Sequence, residues 1–284
     1  MKNLFTIILT VFASISMMAD ISVADKKVLL KLHKTTHGEN WKTKWDLSAP
    51  VSSWYGVKLS GDKIIGLNLA NNNLEGDLPS EMGDLVSLQE LNLHKNALSG
   101  RIPAALGNLK ELKVLDLSFN KFSGIIPSSL CEIKSLKKLE LYMNRLSGQL
   151  PAQIGDLQEL ETLALFNNEI EGQIPNSLYE ISTLKVLLLN SNKLSGKLSM
   201  DVANLKMLEN LSLFENNFEG QVPFDLEKLN NLKEMNISYN KFNGLVSRKL
   251  AVLDTLNLTM INDKGVAVLM DVAMEVQRPL VSED

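Results

Sequence analysis

Leucines recur along most of this chain in one fixed pattern. In "LELYMNRLSGQLP", Leu139 to Pro151, two leucines flank a single polar residue, and an asparagine follows three positions after the second. A further leucine, a glycine and a proline complete the unit. The skeleton stands 24 residues upstream as "LDLSFNKFSGIIP" and 24 downstream as "LALFNNEIEGQIP". Its asparagine falls at Asn72, Asn96, Asn120, Asn144, Asn168, Asn192, Asn216 and Asn240, seven equal steps of 24. Apolar residues at i and i+2 share one face of an extended chain, so each unit contributes a short strand. A unit this small cannot bury its apolar face alone and must stack on its neighbours, which makes the chain a β-rich repeat solenoid.

The remaining positions set the course of the chain after each strand. The asparagine amide offers two donors and an acceptor, enough to satisfy main-chain groups where water cannot reach, and in register it builds a ladder. Gly100 and its equivalents permit a positive φ, and Pro103 and its equivalents favour extended or irregular backbone on the outer side. The pattern therefore predicts a parallel sheet on the inner face and short 3-10 or irregular segments on the outer face. Phe122, Phe218 and Phe242 occupy the leucine position after the asparagine and belong to the core.

The stretch "LSGRIPAALGNLKELKVLDLSFNKFSGIIP" resembles the plant-type leucine-rich repeat, whose mark is an L-x-G-x-I-P segment after the asparagine. The resemblance implies a horseshoe or superhelix over residues 64–264, about eight full repeats and a degenerate ninth. Ser199 and Ser247 depart from it at proline positions, and Lys264 stands where a ninth asparagine belongs. Upstream, "ADKKVLLKLHKTTHGENWKTKWDLSAPVSSWYGVKLSGDK" resembles the family's helical N-terminal cap, over residues 25–63. Trp41, Trp45 and Trp54 are expected in its core, because a solenoid's open end must be covered. The plant version staples this cap with paired cysteines. Here the single cysteine, Cys131, excludes any disulfide within the chain, so the fold rests on packing.

The two ends carry their own signals. Lys2, an apolar run from Leu4 and a small-x-small ending at Ser22 and Ala24 read as a secretory signal over residues 1–24, with cleavage after Ala24 favoured over Ala19. Export to a secreted or extracytoplasmic address is the consequence, the cell surface and periplasm included. No other run reaches the roughly 18 apolar residues a membrane span needs. In "GVAVLMDVAMEV", Val266, Leu269, Met270, Ala273 and Val276 fall along one helical face, which predicts a capping helix and tail over 265–284. A net charge of -4 gives no basic excess for nucleic acid.

Function must use the surface left free of leucine and asparagine, the inner face of the sheet. There Phe119, Tyr142, Phe166, Phe214 and Tyr239, with Val186 and Leu188 between them, form an apolar band crossing about five rungs, or ~24 Å. Such bands mark contact surfaces, and covered aromatics dominate binding energy. The partner-binding candidates are thus Phe119, Tyr142, Phe166, Leu188, Phe214 and Tyr239. Asp116 and Glu140 sit on adjacent rungs at the ~5 Å separation of a retaining glycosidase, but on an open sheet they read as solvated charge. His33, His37 and His94 show neither zinc spacing nor a nucleophile partner, so no catalytic residue, metal or cofactor is expected. The resemblance to receptor ectodomains and leucine-rich-repeat inhibitors implies an exported recognition module for a protein or peptide. A glycan-binding or adhesion protein is the alternative, with Asn68, Asn92 and Asp116 supplying hydrogen bonds, and a hydrolase the remote one. Sequons at Asn210, Asn236 and Asn257 matter only in a eukaryotic host, and a glycan on Asn210 or Asn236 would obstruct the inner face.

Overall fold

The computed structural model describes residues 21–254, 256 and 258–273. Each repeat gives one short strand to a nine-stranded sheet, from Lys63–Asn68 and Glu90–Asn92 through to Asn210–Ser212 and Glu234–Asn236, in chain order. The repeat strands are parallel and register advances without slippage, so Leu67, Leu91, Leu115, Leu139, Leu163, Leu187, Leu211 and Met235 form one row. Every member of that row is at most 1% exposed, which is why a leucine every 24 residues reads as core.

The asparagine ladder forms as the sequence predicts. Asn144 Nδ2 donates to the carbonyls of Leu141 at 3.0 Å and Tyr142 at 3.3 Å in its own coil, and of Leu117 at 3.0 Å in the preceding one. Its Oδ1 accepts from the Phe122 amide at 2.9 Å. Asn120, Asn168, Asn192, Asn216 and Asn240 repeat this set. Asn72 has no full coil before it and bonds instead to the backbone N–H and C=O of Thr43 in the N-terminal cap.

On the outer side, 3-10 turns such as Ala104–Asn108, Ser128–Glu132 and Asn176–Glu180 follow the prolines. Where serine replaces proline, its hydroxyl does the capping. Ser199 Oγ accepts from the Asp201 amide at 3.1 Å, and Ser247 Oγ accepts from the Leu250 amide at 3.2 Å and opens a true α-helical turn, Arg248–Ala251. A second parallel sheet, six strands from Ser123–Gly124 to Lys241–Asn243, runs along the residues after the asparagines. The sequence does not announce it, because its strands contain at most one apolar residue and most include a glycine at positive φ, such as Gly148 at 76°.

The N-terminal cap is a helix, Val23–Thr35, followed by a tryptophan cluster and a hairpin. Trp41, Trp45 and Trp54 are each at most 5% exposed, Trp45 stacks on Trp54 at 4.6 Å, and each indole N–H donates to a backbone carbonyl. The hairpin strand Val57–Ser60 runs antiparallel to Lys63–Asn68 and covers the sheet's first edge.

The last coil is built differently from the expectation. A capping helix from Gly265 is not what the described residues 265–273 form. Ala267–Leu269 pairs antiparallel with Thr259–Ile261, and Asp271–Val272 pairs parallel with Leu245–Val246. The helical spacing of apolar residues loses to the unpaired edges beside it, whose backbone groups need partners. Residues 274–284, including Val276, lie outside the described residues. Asp254 closes the inner sheet: its buried carboxylate accepts from the Ile237 amide at 2.8 Å, replacing the carbonyl that a ninth regular rung would present.

Candidate functional site

The inner face consists of positions the repeat leaves free. In register order one row reads Asn68, Asn92, Asp116, Glu140, Ala164, Leu188, Ser212 and Asn236, and the position after the second leucine carries His94, Tyr142, Phe166, Asn190 and Phe214. The next position has a left-handed backbone in all eight repeats, from Asn71 at φ 51° to Tyr239 at 58°. The chain must leave the strand there while its amide still reaches the next rung, as Phe119 N–H does with the Tyr142 carbonyl at 2.9 Å. Asparagine and glycine tolerate that conformation, whereas other residues hold it at a cost of about 1–2 kcal/mol. Phe119 and Tyr239 hold it nonetheless and stay 40% exposed. Nothing in the residue pattern reveals this strain.

The six candidate residues all lie on this face, but as two aromatic groups instead of one band. His94, Phe119, Tyr142 and Phe166 form a continuous run: His94 to Phe119 at 5.2 Å edge-on, Phe119 to Tyr142 at 5.5 Å edge-on, and Tyr142 stacked on Phe166 at 4.3 Å. Phe214 and Tyr239 form a second pair at 5.2 Å. Beside Phe166 a depression of about 390 Å³ is lined by Phe166, Leu188, Asn190, Ser212 and the hydrogen-bonded pair Asn210–Glu234. The aromatic run is broken because the rung between carries Asn190 where its neighbours carry Phe166 and Phe214.

The polar end of the aromatic run corrects two expectations. Asp116 is not solvated: it is 8% exposed and accepts from both the amide and the hydroxyl of Ser118. Glu140, beside it in register, is half-buried, and burial first and Asp116 second push its carboxyl above the ordinary range, with Lys138 and His94 pulling it back. His94 does have a hydroxyl neighbour, since its Nδ1 lies 2.8 Å from Ser118 Oγ and 3.8 Å from Asp116 Oδ2. This is not a nucleophile triad. One ring nitrogen faces both partners, and Ser118 is fully buried, so no substrate atom can reach its oxygen. Adjacency across rungs, 24 residues apart in sequence, made this cluster invisible to a search for local motifs.

The repeat fold recurs in known proteins. A leucine-rich repeat region model matches residues 127–263, and leucine-rich repeat models match 63–85, 87–109 and 111–133. The chain belongs to the leucine-rich repeat family. Among solved structures, the BIR2 ectodomain from Arabidopsis thaliana is 32% identical over 56% of this chain and 86% of that one, with a TM-score of 0.51. The plant peptide hormone receptor RGFR1, solved with RGF2, is 31% identical over 73% of this chain, with a TM-score of 0.64. The ectodomain of the A. thaliana membrane receptor kinase GASSHO1/SCHENGEN3, solved with CASPARIAN STRIP INTEGRITY FACTOR 2, is 28% identical over 87% of this chain, with a TM-score of 0.77. The chain spans 32% and 29% of the length of these last two ectodomains. Among the described residues, no helix is long and apolar enough to cross a membrane.

Proposed function

We propose that this protein is an exported recognition module, not an enzyme, and that it binds a peptide or protein segment on the inner face of its sheet through Phe119, Tyr142, Phe166, Leu188, Phe214 and Tyr239. One observation carries the reading: large rings stand on the open face, two of them on left-handed backbone, where a core role would have buried them. Strained, exposed aromatics point to a use outside the fold. The plant peptide hormone receptor among the structural neighbours supports the same class of partner. Export is supported by the signal read over residues 1–24 and by the extracellular family it resembles; residues 1–20 lie outside the described part of the chain.

The amide rim of the depression, Asn190 and Asn210, favours a second reading, a sugar ring laid against Phe166. Capture from native extracellular medium with the parent protein and with the Tyr142→Ala/Phe166→Ala/Phe214→Ala variant decides the surface. The variant should lose the captured partner while keeping a cooperative melt, the loss amounting to about 2 kcal/mol or more of binding. Retained capture would place the binding surface elsewhere, and a glycan-array signal without any captured protein would favour the sugar.

A further inference from the structure

We infer that the segment seated on the inner face is a peptide with a basic side chain close to an apolar one, the base lying over Asp116 and Glu140 and the apolar group filling the depression beside Phe166 and Leu188. The inference rests on the inner face being the docking surface and adds the chemistry of what docks there. Charge complementarity selects the occupant. The four inward rows carry five carboxylates, Glu90, Asp116, Glu140, Glu215 and Glu234, against two ammonium groups, Lys95 and Lys138, so these rows are acidic. Long-range attraction then favours a basic peptide over an acidic one before any contact forms.

The local geometry places the charge. Glu215 and Glu234 have neutral partners in Ser191 and Asn210, and Asp116 is held by Ser118. Among the described residues no hydrogen bond reaches the Glu140 carboxylate, though the group is half-buried and in register with Asp116. A guanidinium or ammonium laid there would give that carboxylate a charge-assisted bond. The apolar subsite is set by the fold. Leu188 occupies the same row as Glu140 two rungs on, about 10 Å away, close to the ~9 Å of one three-residue turn of polyproline II, in which residues i and i+3 share a face. A basic and an apolar residue about three positions apart would therefore engage both subsites. A neutral glycan could use Phe166 and the amides but would leave Glu140 without its partner.

The test is a positional-scanning library of short synthetic peptides, read against the folded protein for charge and apolar preference. Lysine or arginine should be enriched with an apolar residue about three positions away. The tightest basic probe should lose roughly tenfold or more in affinity on Glu140→Gln, while the same probe with norleucine replacing its basic residue binds parent and variant alike. Glu140→Gln should melt with the parent, since no described bond is lost. Enrichment of acidic residues, indifference to charge, or a basic probe that ignores Glu140→Gln overturns the inference. If that probe still responds to Tyr142→Ala/Phe166→Ala/Phe214→Ala, the docking surface stands and only the cation is wrong. If it ignores both variants, or no peptide binds, the docking reading fails as well.

Discussion

Asn144 shows how much one side chain carries in this architecture. Its amide closes backbone groups of two coils at once, and a shorter side chain would leave Leu117, Leu141 and Tyr142 carbonyls and the Phe122 amide short of partners. Asn144→Ala should therefore cost roughly 1–3 kcal/mol of stability, read by thermal or denaturant melting, with affinity per folded molecule unchanged. A melt equal to the parent's would mean that water replaces the amide and that the ladder is ornamental. The neighbouring Met143 and the equivalent Phe119 differ in kind, because their backbone stands at φ 56° and 51° whatever side chain they carry. At those positions the fold sets the conformation, and the side chain is free to answer to a partner.

Within elements, the N-terminal helix sets a limit on maturation. Ile21 is 6% exposed in the core, and Ser22 Oγ accepts from the Asp25 amide at 2.9 Å as the helix N-cap. A cut after Ala24 would remove both, losing a buried side chain and a cap worth about 1 kcal/mol. Cleavage after Ala19 keeps both. If the protein is exported as proposed, N-terminal sequencing should thus begin at Asp20; a start at Asp25 with an unchanged melt would show that neither group matters. At the other end, the strands at Thr259–Ile261 and Ala267–Leu269 close the solenoid by pairing, where the apolar spacing alone reads as helix.

For the whole molecule, stability comes from a continuous apolar core and a hydrogen-bonded ladder, with no covalent staple. The single thiol, Cys131, is 2% exposed. Burial foremost pushes it up from its ordinary 9.0 to about 11, and Tyr179, buried at the matching outer position 48 residues on, is pushed up to about 12. Both acids are held neutral by the fold. Their contribution is fully present below their ordinary pKa values and is lost as pH rises through the folded ones, so stability should fall above about pH 9 and continue falling toward 12. Thermal melting should be indifferent to reductant at neutral pH, and a thiol reagent should label the native protein only as fast as it unfolds. A shift of several degrees with reductant, or rapid labelling of the native state, would contradict the buried-thiol account.

The sequence by itself determined the solenoid, its 24-residue pitch, the leucine rows, the asparagine ladder, the tryptophan cap and which positions face inward, because each arises from a local pattern repeated in register. It could not determine what neighbouring rungs do to one another. The division of the aromatics at Asn190, the contact of His94 with Ser118 and Asp116 of the next coil, and, among the described residues, a Glu140 carboxylate without a hydrogen bond all depend on how one coil sits against the next. The second sheet, the strand-built last coil and the Asp254 closure likewise arise from backbone groups that need partners only once the coils have stacked. Local periodicity fixes the shape of a repeat; the contacts between repeats, where specificity resides, exist only in the stack.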